Sequence, residues 1–231
     1  MNPDLAWAVW SGERQRRIEG VLERALPPDT APPLALHRAM RYAVLGGGKR
    51  VRPLLAYAAG ELAGAAPDVG DAVGAAVAVL AAAAGAEGMA GGQAIDLDAV
   101  GASLDLPALE TMHRMKTGAL IRAAVSLGAA CGAPLAAGEQ QALQAYAAAA
   151  GLAFQVVDDV LDVEGSATTL GKTAGKDAAR GKPTFVSLLG LAAAKERAES
   201  LRVEAHAALA GFGGRGRRLA ELADWIVLRR H

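Results

Sequence analysis

Between Glu139 and Asp158 the chain carries no charge at all, and this run, Gln140 to Val157, constrains the fold more than any other segment. It is rich in Ala, the strongest helix former, and it holds Gln140, Gln141, Gln144 and Gln155, which a lipid environment disfavours. It also falls short of the roughly 20 apolar residues that span a bilayer. A close-packed helix in a water-soluble bundle remains, with no stable membrane insertion. The rest of the sequence agrees. Aromatic residues make up only 4% of the 231, and runs of Val, Ile, Thr and aromatics that would form strands are scarce. The expected fold class is all-α.

Apolar residues at helical spacing mark further segments. Val9, Ile18, Val21, Leu22 and Leu26 define a first helix, and Leu36, Met40 and Val44 a second. A third runs from Leu54 to Leu62 beyond Pro53, followed by an Ala-rich helix over 71–92. Pro107 opens a helix to about Cys131, and Glu139 a long one to about Val163. Shorter helices are expected over about 184–210 and 216–230. Neither an internal repeat nor a low-complexity linker divides the chain, so residues 1–231 read as one domain.

Charge and cysteine content narrow the setting. With 24 basic and 24 acidic residues the formal net charge is zero, so no global field favours a nucleic-acid partner. The single Cys131 cannot form an intramolecular disulfide, and no basic segment leads into an apolar one after Met1. A cytoplasmic protein is expected.

The long helix ends in "FQVVDDVLDV" (154–163), where three carboxylates stand among Phe, Gln, Val and Leu. Positions i and i+4 share a helix face, so Asp158 and Asp162 stack, Asp159 flanks them and Gln155 precedes them by a turn. Such a stripe is either a solvated face or a seat for a hard cation. Mg²⁺ suits it, because it prefers carboxylate oxygens and shares its shell with water and phosphates.

Two cationic loops favour the second reading. "LGGGKRVRP" (45–53) places Lys49, Arg50 and Arg52 behind three glycines. "GSATTLGKTAGKDAARGKPT" (165–184) adds Lys172, Lys176 and Lys182, each beside a glycine. Gly-rich turns with fixed cations suit phosphate, since exposed N–H groups and charge-assisted donors act together. Neither is a Walker loop following a strand, which excludes nucleotide hydrolysis of that type. "MKTGALIR" (115–122) contributes Lys116, Thr117 and Arg122 within an apolar helix. In "GMAGGQAIDLD" (88–98) small residues permit close packing, Gln93 and Asp96 are the polar groups, and Gln93 is a candidate ligand contact.

In this order, "LGGGKRVRP", "GMAGGQAIDLD", "HRMKTGALIRAAV", "GLAFQVVDDVLDV", "TLGKTAGKD" and "GKPTF" resemble the motifs of the trans-polyprenyl diphosphate synthases, specifically the bacterial farnesyl and geranylgeranyl diphosphate synthase group. The resemblance implies an all-α, homodimeric enzyme with helices around a central cavity. It implies Mg²⁺-dependent joining of isopentenyl diphosphate to an allylic diphosphate. Carried over by position, Lys49 and Arg52 would hold isopentenyl diphosphate, with Gln93 a further substrate contact. Lys116, Thr117, Gln155, Lys172 and Lys182 would surround the allylic diphosphate, and Asp158, Asp159 and Asp162 would bind metal.

The sequence also departs from that family. A first aspartate-rich motif with a following arginine pair should fall after "GAAVAV" (74–79), yet Val79 runs directly into Leu80. Asp68, Asp71 and Glu87 do not reproduce its spacing. Three readings stay open: an omitted stretch of polypeptide, a true internal deletion, or a paralogue that binds diphosphate without catalysis. A terpene cyclase would share the metal–diphosphate logic but would not need the cations of residues 49–52.

Overall fold

The computed structural model describes residues 3–26, 28–30, 34, 38, 41–42, 45–46, 48–65, 79–80, 82–101, 104–168 and 183–229. Among these no strand occurs. The helices are α1 (Pro3–Ala25), α2 (Val51–Leu62), α3 (Met89–Asp98), α4 (Leu106–His113), α5 (Ala119–Ala130), α6 (Ala137–Thr168), α7 (Phe185–Leu189), α8 (Leu191–Leu209) and α9 (Arg217–Leu228). Arg114–Gly118, between α4 and α5, is a turn of π-helix, and Ala210–Gly216 a 3₁₀ segment. The expected all-α fold is present.

The uncharged run forms the middle of α6, which packs against α5, α8 and α9. Its Tyr146, Ala147, Ala150, Ala153, Val156 and Val157 are buried in the core. The small side chains allow neighbouring backbones to come close. Tyr146 is fully buried, and its hydroxyl donates to the Leu219 carbonyl at 2.7 Å, which ties α9 to α6 and satisfies the one polar atom of the ring. Glycines act similarly where α5 crosses α2. A Cβ on Gly128 would stand 2.1 Å from the Ala56 carbonyl oxygen, so no larger residue fits that crossing.

Several boundaries differ from expectation. α2 begins at Val51 rather than after Pro53, because proline in the first turn forfeits no helical hydrogen bond. The helix expected over 71–92 is interrupted at Gly85–Gly88, and "MAGGQAIDLD" is a helix of its own. Residues 66–78 lie outside the described residues, while Val79 and Leu80 are helical with exposed side chains. The segment expected over 184–210 is split at Gly190, whose φ of 81° suits a residue without a Cβ. Leu36, Met40 and Val44 of the expected second helix lie outside the described residues.

Candidate active site

The polar end of α6 opens into a cavity of about 520 Å³ lined by Asp158, Asp159, Asp162 and Gln155 together with Lys49, Asp96, His113 and Lys116. The three aspartates predicted as metal ligands therefore share one space with two of the predicted cations. Lys49 also lines a second cavity, about 350 Å³, with Arg52, Thr117, Ile121 and Phe154. The two cavities thus meet at Lys49, one rich in carboxylates and the other cationic with apolar walls.

Each side chain is placed by a local device. Lys116 and Thr117 sit on the π-turn, a widened turn that interrupts the α-helical register and recurs at functional sites. α3 lies directly against it, because Gly92 has no side chain there: a Cβ would stand 2.2 Å from the Lys116 backbone nitrogen. That approach lets Asp96 reach Lys116, Oδ2 to Nζ at 2.7 Å. Lys49 and Arg52 flank Arg50, which holds the left-handed conformation at φ 52°. Such backbone is uncommon for a residue with a side chain and marks a constrained turn. Arg50 is engaged by Glu19 and lines the second cavity beside Lys49 and Arg52, and of the three Lys49 also lines the first.

The aspartates are differently engaged. Asp159 Oδ2 accepts from the Phe185 N–H at 2.7 Å and so caps the start of α7. Asp158 receives the Gln155 amide on Oδ2 at 3.3 Å and pairs with Arg229 through Oδ1. Arg229 lies over the Phe154 ring, 4.1 Å from its centroid, with a side chain only 3% exposed. Its Nε and Nη1 are buried without a hydrogen-bond partner among the described residues. Burial holds Lys49 and Arg52 below their usual pKa values; for Lys49, Arg229 adds to the lowering while Asp158 opposes it. Both side chains remain exposed, so an arriving anion can reach them.

Not every predicted residue gathers here. Gln93 lines neither cavity, whereas Asp96, one turn further along α3, does. Asp96 lies one turn from Gly92, on the glycine face of α3 that meets the π-turn, and so reaches Lys116. Lys172, Lys176 and Lys182 lie outside the described residues. His113 and Arg229 join the site without a signal in the sequence pattern.

The donor set fits Mg²⁺. Carboxylate oxygens are the hard ligands it prefers, and Asp158 and Asp162 are one turn apart on the cavity wall. Among the described residues no three His, Cys, Asp or Glu groups form a ready-made cluster. An ion that takes few protein ligands and completes its shell with water and phosphate needs none.

The sequence pattern of the polyprenyl synthetase family matches residues 75–208. The chain belongs to the polyprenyl synthetase family. A geranylgeranyl pyrophosphate synthase, chloroplastic, from Capsicum annuum is 36% identical over 85% of this chain and 72% of its own length. The farnesyl diphosphate synthase of Escherichia coli (strain K12) is 48% identical over 65% of this chain and 51% of its own length. Among solved structures, an apo FPP/GFPP synthase from Zymomonas mobilis is 28% identical with a TM-score of 0.81, covering 97% of this chain and 100% of that one. The alignment with the Capsicum protein runs over 267 positions, more than the 231 residues of this polyprenyl synthetase family member. That relative therefore carries residues with no counterpart here. Among the described residues no helix is long and apolar enough to cross a membrane.

For this family member, the charge state of Asp158 gives a pH prediction. Burial pushes its carboxyl above the ordinary 3.8, against the lowering pull of Arg229 and then Lys49. Between 3.8 and the raised value the folded state binds more protons than the unfolded one, so this group's contribution to stability falls as pH rises through that window. A Mg²⁺ ion held by Asp158 would have to displace the same proton. The rise in melting temperature produced by Mg²⁺ alone should therefore grow with pH through that window and level off above it. A shift that stays constant from about pH 4 to about pH 7 would contradict this.

Proposed function

We propose that the chain is a Mg²⁺-dependent short-chain prenyltransferase of isoprenoid biosynthesis. It condenses isopentenyl diphosphate with an allylic diphosphate (dimethylallyl, geranyl or farnesyl) to a longer all-trans prenyl diphosphate. The observation that carries this reading is the pair of cavities meeting at Lys49. A metal–diphosphate site beside a second cationic site is what two diphosphate substrates need. A terpene cyclase, with one diphosphate substrate, has no use for the second.

Asp158, Asp159 and Asp162 would hold the ion, which when bound supplies positive charge to the departing diphosphate. Lys116 contributes a fixed ammonium to the same cavity, oriented by Asp96. Thr117 lines the apolar-walled cavity and donates to Gln155, which lines the carboxylate-lined one, and Lys172 and Lys182 are assigned to the allylic diphosphate by family resemblance. Lys49 and Arg52 hold isopentenyl diphosphate so that its alkene faces the allylic carbon. The allylic C–O bond breaks, a C–C bond forms to the alkene, and a proton leaves to the released diphosphate. Ile121 and Phe154 present hydrocarbon to the cationic intermediate and exclude water that would quench it.

The protein acts in the cytoplasm as a homodimer, without nucleic acid. On this reading the residues that the Capsicum relative has in excess would fall at the Val79–Leu80 junction, where the first aspartate-rich motif is expected. Their lack favours a second reading, a subunit that binds diphosphate without turnover.

One assay separates these functions. The protein is incubated with dimethylallyl diphosphate and Mg²⁺, with and without labelled isopentenyl diphosphate, and products are identified by mass spectrometry. Chain elongation that requires isopentenyl diphosphate is expected. Hydrocarbon or diphosphate released from the allylic substrate alone would indicate a cyclase. Saturable binding with no product would indicate the non-catalytic subunit.

A further inference from the structure

We infer that His113, at the end of α4, is a positioning residue that fixes the side-chain amide of Gln155 so that its N–H group points at Asp158. The inference rests on the diphosphate–metal reading of this cavity for its purpose, though not for its geometry.

Gln155 sits one turn before Asp158 on α6. Its Oε1 accepts from the Thr117 hydroxyl at 3.0 Å and lies 3.1 Å from His113 Nδ1, while its Nε2 lies 3.3 Å from Asp158 Oδ2. The two ends of an amide are nearly alike in size, so partners alone decide which way it faces. The Asp158 carboxylate accepts and cannot donate, so Nε2 must face it and Oε1 must face His113. His113 therefore carries its proton on Nδ1.

The three partners do not constrain the amide equally. A Thr hydroxyl rotates and can donate or accept, so Thr117 tolerates either orientation. Asp158 favours the observed one only while its Oδ2 lone pair is available to Gln155, and a cation at Asp158 competes for that electron density. Nδ1–H of His113 is a donor fixed by the ring and stays in place whatever occupies the cavity. It is the group that keeps Gln155 from turning its oxygen toward the carboxylates.

The ring is itself held. It stacks on Phe185 with centroids 5.4 Å apart and planes 24° apart, and Phe185 is fully buried. The Phe185 N–H is the donor to Asp159. His113 thus touches the supports of two adjacent aspartates, Gln155 for Asp158 and Phe185 for Asp159.

Two variants separate the hydrogen bond from the packing. His113→Phe keeps an aromatic ring against Phe185 and removes the donor. His113→Asn shortens the side chain but places an amide N–H where Nδ1 stood. In the ¹⁵N-labelled full-length protein, the Gln155 side-chain NH₂ pair is assigned by its loss in Gln155→Leu. It should be sharp and slow to exchange with solvent in the unsubstituted chain, broadened or fast-exchanging in His113→Phe, and restored in His113→Asn. Titration with Mg²⁺ and inorganic diphosphate should show binding weakened about tenfold in His113→Phe, as for loss of roughly one oriented hydrogen bond. Binding in His113→Asn should return to near that of the unsubstituted chain, and His113→Phe/Gln155→Leu should lose no more than Gln155→Leu alone.

An unchanged Gln155 signal in His113→Phe would overturn the inference. So would additive losses in the double variant, or equal loss in His113→Phe and His113→Asn. If the signals respond as described but the unsubstituted chain binds no Mg²⁺–diphosphate, the positioning role stands and the proposed function fails.

Discussion

Asp158→Ala is expected to abolish Mg²⁺-dependent binding of diphosphate while leaving helix content unchanged. The side chain is 40% exposed and contributes no apolar area to the core, so its loss opens no cavity among Val156, Val157 and Val160. Its chemical loss is large. The carboxylate stands one turn from Asp162 on the wall of the carboxylate-lined cavity and is the group on which Gln155, Arg229 and Lys49 all bear. Removing an electrostatic element of this kind costs on the order of a hundredfold or more in turnover. The substitution also leaves Arg229 buried without its counter-charge, so a modest fall in melting temperature should accompany it. Calorimetric titration with Mg²⁺ and inorganic diphosphate measures the first effect and circular dichroism the second. Binding equal to that of the unsubstituted chain would exclude Asp158 from the site.

Gly92→Ala is expected to be nearly as damaging, although Gly92 carries no chemistry. The added methyl would stand 2.2 Å from the Lys116 backbone nitrogen and 2.7 Å from its Cα. Both are backbone atoms, so no rotamer change relieves the clash, and α3 and the π-turn must separate. That separation moves Lys116 from Asp96 and shifts Thr117, which is buried beneath it. Overpacking of this sort costs about 1–3 kcal/mol in stability. A displacement of about 1 Å at a positioned catalytic group can cost about a hundredfold in rate. Steady-state kinetics with both diphosphates and a urea denaturation curve measure the two effects. Unchanged kcat/KM with a lowered urea midpoint would show that the contact serves the fold alone.

The parts of the site that follow from helical periodicity were legible in the sequence. Asp158, Asp159, Asp162 and Gln155 belong to one regular helix, so spacing alone places them together and the structure gives them a common cavity. Lys116, Thr117, Lys49 and Arg52 were legible by residue type beside glycine or within an apolar helix. What spacing does not encode is hydrogen-bond register. "RMKTG" reads as ordinary helix, and only the structure shows the π-turn that carries Lys116. On α3 the choice between Gln93 and Asp96 depended on which face its glycines turn to the π-turn, a tertiary property.

His113 and Arg229 were missed for a similar reason. A histidine in a helix and an arginine near a chain end both read as solvated groups. Their roles come from Gln155 and Asp158, which are 42 and 71 residues away in sequence. The fold was legible further. Ala-rich composition and scarce β-branched runs indicated the helical class, and errors fell at Gly85–Gly88, Gly190 and Pro53, where local backbone preference sets the boundary.

The most direct test is a crystal structure of the protein with Mn²⁺ in place of Mg²⁺, an unreactive thio-analogue of an allylic diphosphate, and isopentenyl diphosphate. Anomalous scattering locates the ion. The account predicts a peak at the Asp158–Asp162 face of α6, with the analogue's phosphates between it and Lys116. It predicts the second diphosphate against Lys49 and Arg52, across Lys49 from the first. An ion bound away from Asp158 and Asp162, or both diphosphates bound outside the two cavities, would contradict it.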